Sequence, residues 1–394
     1  MSRFRLLPTP AQQVVLLEHC RHARFVWNLG VEQQKFWQPG RRAPGYNEQS
    51  AQLTEIRADH DWLAAGSQTV QQQALRDFAQ AMRNFFAGTH RRPSWRKAGE
   101  HEGFRQVRVK PRHVEKLNRH HGRVWVPKVG WVRFRWTRAV PAGAKSYRIT
   151  RDRAGRWHVA FAHVPDSITG PADGSVVGVD RGVAVSAALS TGELLHCPGL
   201  RPRERVRLCR LQRRLARAER GSNRRQRTKS AIARIKAREA DRRRDWVEKT
   251  TTDLSRRFDT IRVEMLDVRA MTRSARGTVD RPGVRVAQKR GLNRSISRQG
   301  WGQLAARLGY KAAGRFECVP AAYTSQRCSA CGHRAPENRK SQAVFACVAC
   351  GAGPCNADVN AARNIAAGRA VPAQGDLAAG RSVNCEPQLS SPAA

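Results

Sequence analysis

Tyr323–Gly332 reads YTSQRCSACG and Phe345–Gly351 reads FACVACG, so this part of the chain carries two CxxC pairs. Residues 332–346 form a 15-residue spacer between the pairs, which matches the spacing of four-thiolate zinc sites. A glycine follows each pair, as expected where a tight knuckle needs a residue that can adopt positive φ. Four thiolates close the coordination of the metal, so the pattern predicts one structural zinc ion and argues against a catalytic one. The predicted ligands are Cys328, Cys331, Cys347 and Cys350.

Two further cysteines, Cys318 and Cys355, lie close to this motif in the sequence. Cys355 could compete as a ligand, although its spacing fits less well. A disulfide scaffold would spread its cysteines through a short secreted chain, whereas six of the ten here fall between residues 318 and 355. Chance clustering of buried thiols is the alternative to a zinc site.

The composition points to a polyanionic partner. The chain has 394 residues and carries 73 Lys+Arg against 31 Asp+Glu, a formal net charge of +42. Self-repulsion on that scale is tolerated beside nucleic acid, and the 40% of hydrophobic residues are enough for packed cores. No apolar run approaches the roughly 18 residues of a membrane span, and the first ten residues do not resemble a secretory signal. We therefore expect a cytoplasmic, nucleoid-associated protein without a membrane partner.

The N-terminal part divides into a helical and a sheet region. Residues 4–7 suggest a short strand, and apolar residues recur every three or four positions through 11–37, 47–64 and 67–87, which predicts three helices. Between 103 and 165 the apolar residues alternate and are separated by turn signals, which favours an antiparallel sheet or small barrel with Arg and Lys facing outwards.

The C-terminal part alternates strands and helices. The pattern predicts a hairpin within 176–190, a buried strand within 258–267, a helix at 301–314 and another at 356–367. Residues 269–300 have few apolar anchors and are expected to be mobile, and the segment after 372 is of low complexity and expected to be disordered.

Residues 201–249 are strongly basic, with 20 Lys+Arg against 6 Asp+Glu. Sparse leucines and isoleucines at helical spacing, interrupted by Gly221-Ser222-Asn223, predict a hairpin of two long helices. The acidic residues are too few to neutralise the surface, so we interpret the hairpin as a phosphate-binding arm, with a merely solvated face as the alternative. The candidate nucleic-acid contacts are Arg213, Arg214, Arg224, Arg225 and Lys229.

Three carboxylates occur in apolar or structured surroundings. Asp180 ends the apolar run 176–179, Glu264 lies inside the predicted strand, and Asp358 lies near the start of the last predicted helix. Each alone has an ordinary explanation as a turn residue, a salt-bridge partner or a helix cap. Together they are the residue types that hold two Mg²⁺ ions for phosphodiester hydrolysis, since Mg²⁺ prefers hard oxygen ligands.

With these residues in view, the sequence resembles the OrfB/TnpB family of insertion-sequence proteins, RNA-guided DNA endonucleases related to type V CRISPR effectors. The resemblance covers about residues 4–367. Besides the two CxxC segments, it rests on the following stretches: VGVDRGVAVSAALSTGE (177–193), the Gly221-Ser222 hairpin, VEMLDVRAM (263–271), Tyr310-Lys311-Ala312 and DVNAARNI (358–365).

The resemblance implies a multidomain α+β fold with an RNase H-like (RuvC) nuclease domain, an inserted zinc ribbon, a wedge β-barrel and a helical recognition lobe. It implies that Asp180, Glu264 and Asp358 are the catalytic, magnesium-binding acids. The implied division is 1–10 first wedge strand, 11–98 recognition lobe, 99–168 wedge barrel, 169–320 first nuclease part with the hairpin 201–249, 321–355 zinc ribbon, 356–371 second nuclease part and 372–394 disordered tail.

Two details of the resemblance concern single positions. Tyr46 and Gln72 fall where family members contact the short motif beside the target, although ordinary helix-surface polarity would also explain them. Family members usually carry Arg immediately before the last catalytic Asp, whereas this chain has Ala357, which could change the helix start or the geometry of the metal site.

The leading hypothesis is an RNA-guided, Mg²⁺-dependent DNA endonuclease that cuts beside a short motif through one RuvC-type site, holding two catalytic Mg²⁺ ions and one structural Zn²⁺. The expected partners are a guide RNA from the element's end and double-stranded target DNA, bound by a protein monomer. Two alternatives remain open from the sequence. One is a transposase that joins DNA strands with the same carboxylates, and the other is a catalytically silent nucleic-acid-binding protein.

Overall fold

The computed structural model describes residues 2–35, 44–100 and 102–368. Its chain forms two compact units, one of Met1–Asp166 with Gly199–Arg242 and one of Ser167–Pro198 with the residues from Arg243 onwards. The basic hairpin therefore belongs mostly to the first unit. Within the described residues, no helix combines the length and the apolar character that crossing a bilayer requires.

The first unit contains a seven-stranded antiparallel sheet with hydrogen-bonding order β2-β6-β7-β1-β5-β4-β3. The strands are β1 (Ser2–Leu7), β2 (Glu102–Val107), β3 (Val114–Lys116), β4 (His121–Val126), β5 (Gly130–Arg135), β6 (Ser146–Arg151) and β7 (Trp157–Ala162). β1 pairs with β7 along its first residues and with β5 through Leu6 and Leu7, so it links the two halves of the sheet. Among the described residues β2 and β3 remain the two edges, so hydrogen bonding does not close the expected barrel.

The helices of the first unit are α1 (Pro10–Lys35), α2 (Tyr46–Asp59), α3 (Asp61–Ala64), α4 (Gln68–Phe86), α5 (Pro202–Ala216) and the first part of α6 (Asn223–Arg257). The alternating side chains of the sheet and one face of α1 and α4 form a common core. Ion pairs also join α4 to the sheet: Asp77 of α4 pairs with Arg148 of β6 at 2.6 Å and with Arg105 of β2 at 3.2 Å. The second predicted helix is broken at His60 into α2 and α3.

The second unit contains a five-stranded sheet of order β10-β9-β8-β11-β12. Its strands are β8 (Val176–Asp180), β9 (Ala187–Leu189), β10 (Leu194–Leu195), β11 (Thr260–Met265) and β12 (Phe316–Pro320). β8, β9 and β10 pair antiparallel, whereas β8, β11 and β12 are parallel. The hairpin predicted within 176–190 and the buried strand within 258–267 are both confirmed.

The remaining helices of this unit are α7 (Val268–Met271), α8 (Val286–Gln299), α9 (Trp301–Lys311) and α10 (Ala357–Ala366). A two-stranded ribbon, β13 (Val344–Phe345) with β14 (Cys355–Asn356), precedes α10. The expectation that 269–300 is mobile stays a prediction, although its residues 286–299 form the helix α8. The low-complexity tail after 372 lies outside the described residues.

Candidate active site

Asp180 and Glu264 are brought together by the pairing of two parallel strands. β8 and β11 are in register with Val179 opposite Val263, so the two carboxylates follow at the same edge of the sheet. Asp180 is the last residue of β8, and Glu264 is the last but one of β11. The carboxyl ends of parallel strands are a common location for binding sites because side chains from neighbouring strands converge there.

Asp358 reaches the same place from α10, which packs closely on β8. A Cβ atom at Gly178 would lie 2.0 Å from the carbonyl oxygen of Ala362 and 2.4 Å from the amide nitrogen of Ala366. Only a glycine allows that approach of helix to strand. The side chain of Asn356 caps the helix by accepting hydrogen bonds from the amides of Asp358 (3.0 Å) and Val359 (3.1 Å).

The pKa values of the three carboxylates are raised. Burial raises the pKa of Asp180 well above its usual range, and the negative charges of Glu264 and Asp358 raise it further. Burial also raises the pKa values of Glu264 and Asp358. A group of part-buried acids that repel one another is stabilised by bound cations, and perturbed carboxyls of this kind are typical of functional sites.

Two neighbours hold Glu264 in place. The hydroxyl of Thr324 donates a hydrogen bond to its Oε1 at 3.2 Å, and the guanidinium of Arg181 donates to its backbone carbonyl. Arg181 is itself buried and also donates to the carbonyl of Trp301 at 3.3 Å. These contacts orient the carboxylate and anchor the end of β11.

Arg339 is a site residue that the sequence did not single out. Its Nη2 lies 3.8 Å from Oδ1 of Asp358, and its positive charge lowers the pKa values of Asp358 and Asp180 against the effect of burial. It comes from the segment between the two CxxC pairs. In the sequence it is one of several basic residues there, and nothing in their spacing distinguishes it.

Ala357 does not disturb the start of α10. It is fully buried as the first residue of the helix, and the Asn356 cap is intact. The chain has no arginine at that position, but Arg339 places a guanidinium beside Asp358 from another segment.

The four predicted zinc ligands converge as the spacing requires. Their sulfur atoms all lie within 4.8 Å of one another, and they are the only such group of metal-ligating atoms among the described residues. The Cys328–Cys350 and Cys331–Cys347 sulfur pairs are 3.8 Å and 3.6 Å apart. A tetrahedron with Zn–S bonds of about 2.3 Å has sulfur separations of about 3.8 Å, so the donor set fits one zinc ion. Cys318 and Cys355 do not belong to this group.

Tyr46 and Gln72 meet on the helices of the first unit. The Tyr46 hydroxyl donates to Gln72 Oε1 at 2.9 Å and accepts from Arg76 Nε at 3.0 Å, while Ser50 exchanges hydrogen bonds with the Gln72 amide. The two residues therefore form one polar cluster, although α2 and α4 carry them separately.

The basic hairpin presents most of its predicted contacts to solvent. Arg213, Arg214, Arg224 and Lys229 are exposed. Arg225 is half-buried, and its Nη1 donates to the carbonyl oxygens of Leu215 and Ala218 at 2.8 Å. Arg225 therefore caps the end of α5, and only its remaining donors are free for a phosphate.

Sequence comparisons place the chain among known proteins. A relative from Escherichia coli (strain K12), named "Putative RNA-guided DNA endonuclease InsQ", is 37% identical over 98% of this chain and 96% of its own length. The chain belongs to the OrfB family of IS605-type insertion sequences. A second relative, from Streptomyces pristinaespiralis and named "Putative RNA-guided DNA endonuclease", is 33% identical over 95% of this chain and 90% of its own length.

Family profiles match three parts of this OrfB chain. The OrfB_IS605 profile, described as "Probable transposase", matches residues 158–275, and a "Cas12f1-like, TNB domain" profile matches 301–365. A profile described as a helix-turn-helix domain matches 2–38, where the described residues form β1 followed by the single helix α1.

Among solved structures, the OrfB chain resembles the protein in "Cryo-EM structure of the Cas12f1-sgRNA-target DNA complex". The TM-score is 0.51 at 12% identity, over 90% of this chain and 83% of the other. At that identity the likeness concerns the fold, which is mixed α/β.

Proposed function

We propose that this protein is an RNA-guided, Mg²⁺-dependent DNA endonuclease encoded by an insertion sequence, which cuts target DNA beside a short motif through one nuclease site. The observation that carries the proposal is the convergence of Asp180, Glu264 and Asp358, which come from three distant parts of the chain and meet at one sheet edge. The names of the two full-length relatives agree with this activity.

The strand order of the second unit supports an RNase H-like, RuvC-type domain. If β8 to β12 are numbered 1 to 5 along the chain, the order across the sheet is 3-2-1-4-5. Strands 1, 2 and 3 pair antiparallel, and strands 4 and 5 run parallel to strand 1. The zinc ribbon is inserted between β12 and α10, and thus between the second and third acids. In the first unit, we assign the wedge role to the seven-stranded sheet and the recognition role to α1–α4.

The three acids would hold two Mg²⁺ ions. Their ligand atoms do not all lie within 4.8 Å of one another in the described structure. Carboxylates that hold two ions about 3.5–4 Å apart need not all reach a single ion. Bound Mg²⁺ would activate the attacking water and stabilise the leaving 3′-oxygen. Thr324 keeps Glu264 oriented, and Arg339 offers guanidinium donors beside Asp358 for a non-bridging phosphate oxygen.

The nucleic acids would be held by other parts of the chain. Exposed Arg213, Arg214, Arg224 and Lys229 would contact phosphates of a guide RNA encoded at the element's end and of its heteroduplex with DNA. The Tyr46–Gln72 cluster offers hydrogen-bond donors and acceptors for base edges of the motif in double-stranded target DNA. Guide pairing would supply the remaining specificity, and we expect one protein monomer per RNA.

The test begins with the RNA that the protein carries. The protein is expressed with the DNA that flanks its gene, purified, and its bound RNA is sequenced. One dominant RNA that ends at the element boundary is expected. With that RNA and Mg²⁺, the protein should cut a plasmid that bears a matching target, and Asp180→Ala should bind the plasmid without cutting it.

Other outcomes point to other functions. A heterogeneous mixture of cellular RNAs would contradict the guided mechanism. Strand joining by RNA-free protein would identify a transposase, and equal behaviour of Asp180→Ala and wild type would identify a non-catalytic binding protein.

A further inference from the structure

Tyr323 has a backbone conformation that is unusual for its residue type. Its φ angle is +60°, in the left-handed region that bulky side chains rarely adopt because Cβ then crowds the following carbonyl. Such strain persists where the surrounding structure enforces it, and it is concentrated at functional sites.

The turn around Tyr323 is held by hydrogen bonds from several directions. The Tyr323 carbonyl accepts from the amides of Gln326 (3.0 Å) and Arg327 (3.1 Å). Asn364 of α10 donates to the carbonyls of Thr324 (2.9 Å) and Arg327 (2.7 Å). The same turn buries Thr324, whose hydroxyl bonds Glu264. Tyr323 therefore directly precedes a residue that touches the carboxylate site.

The side chain of Tyr323 stays accessible, since 41% of the residue is exposed. The Cζ atom of Arg334 lies 3.1 Å from the centroid of its ring, in a stacked cation–π contact. Tyr323 precedes Cys328 and Arg334 follows Cys331, so the zinc ribbon carries both partners. A solvent-accessible ring with a stacked guanidinium is the combination that binds single-stranded nucleic acid, because bases stack on the ring and the cation attracts phosphates.

We propose that Tyr323 and Arg334 form a stacking platform for a base of the single DNA strand whose phosphodiester lies at Asp180, Glu264 and Asp358. The inference rests on the proposed function and adds the residues that position the strand. The platform binds bases by their faces and is therefore tolerant of sequence. The strained backbone at Tyr323 belongs to the turn whose next residue, Thr324, bonds Glu264.

Replacement by glycine separates this role from a structural one. Tyr323→Gly removes the ring but relieves the left-handed strain, so we expect an unchanged or higher melting temperature. The same variant should bind a short fluorescent single-stranded DNA about tenfold more weakly, because one stacked base is lost. Single-turnover cleavage at subsaturating DNA should fall in parallel. Tyr323→Asn, which also tolerates positive φ, is the second variant, and Tyr323→Phe should restore binding and cleavage.

Tyr310→Ala is the matched control, since Tyr310 is a similarly exposed tyrosine on α9 (45% exposed). Wild-type affinity for single-stranded DNA in both Tyr323→Gly and Tyr323→Asn would overturn the platform, whether or not the protein cuts. A loss that affects an RNA oligonucleotide but not DNA would also overturn it. Absence of guided cleavage by the wild type, with the binding difference intact, would contradict the proposed function alone.

Discussion

At the scale of single residues, the carboxylates of the candidate site outnumber the cations beside them. Three acids share a partly buried space, and Arg339 is the cation nearest to Asp358. Burial opposes the ionisation of all three, and the charges of Glu264 and Asp358 oppose that of Asp180 further. Between the unfolded-state and folded-state pKa values of Asp180, folding of the metal-free protein therefore requires Asp180 to bind a proton, which costs stability.

Asp180→Asn should therefore raise the melting temperature of the zinc-loaded, magnesium-free protein at pH 8. The folded-state pKa of Asp180 lies above the unfolded value, so stability falls as the pH rises from about 4 towards the folded-state pKa. The increase in melting temperature caused by Asp180→Asn should therefore become smaller as the pH is lowered towards 4. Each kcal/mol in the free energy of unfolding corresponds to a shift of about 2–4 °C in the melting temperature of a domain of this size. Differential scanning fluorimetry measures it, with exposed Asp173→Asn as control. A lower melting temperature for Asp180→Asn at pH 8 would contradict the prediction.

Arg339→Ala should reduce the single-turnover cleavage rate, roughly a hundredfold, if its guanidinium stabilises charge on the phosphate. Arg339→Lys should recover only part of the rate, because an ammonium lacks the forked donors. The matched control is Lys340→Ala, the exposed neighbour in the sequence. A wild-type rate for Arg339→Ala would remove Arg339 from the site.

At the scale of elements, the third acid is positioned by the contact between α10 and β8. The helix is capped by Asn356 and lies against the backbone of β8 at Gly178. Asn360 and Asn364 of the same helix hold the loop that leads into the four-cysteine segment, through hydrogen bonds to the carbonyl of Arg327 at 2.8 Å and 2.7 Å. One short helix thus positions both Asp358 and the Thr324 loop.

Gly178→Ala should separate α10 from the sheet, because the added methyl would overlap backbone atoms that cannot move aside. We expect loss of cleavage and a destabilisation of about 1–3 kcal/mol or more, as for overpacked cores. Thermal unfolding and a cleavage assay measure the two effects. Gly302→Ala in α9 is the control, since a methyl there meets no atom within 4 Å. Equal activity of the two variants would refute the role of Gly178.

The sequence predicted some elements well and missed others for physical reasons. Strands such as β8 and β11 were found because they are apolar runs bounded by turn residues. α8 was missed because Ile296 is its only buried residue; polar contacts, such as Lys289 Nζ to the Met271 carbonyl at 2.7 Å, connect it to the preceding segment. The cysteine site was predictable from spacing alone. The Arg339–Asp358 pair was not, because long-range pairing leaves no periodic signal.

At the scale of the whole molecule, the net charge of +42 is concentrated unevenly. Residues 201–249 contribute 20 Lys+Arg against 6 Asp+Glu. Many of these cations are exposed on α5 and α6, where the described ion pairs, such as Arg242 with Glu204, are few. The affinity for RNA should therefore depend strongly on salt.

Arg213→Gln with Arg214→Gln should weaken RNA binding and make the slope of log K against log salt shallower by about 1–2 units. Filter binding at several salt concentrations measures this. The control is the double variant Gln212→Ala with Gln226→Ala, which changes two neutral residues of the same hairpin and should leave the slope unchanged. A loss of affinity with an unchanged slope would show that the two arginines do not contact phosphates.

The spread of the three acids along the chain has a genetic consequence. Because the last acid is residue 358, a nonsense mutation or a frameshift at any earlier codon yields a product without a complete metal site. The basic hairpin, in contrast, is fully encoded by codon 257. A truncation between codons 257 and 358 would thus retain the proposed RNA-binding hairpin but lose Asp358 of the proposed cutting site. Under the proposed function, any truncation before codon 358 would therefore abolish cutting in a single step.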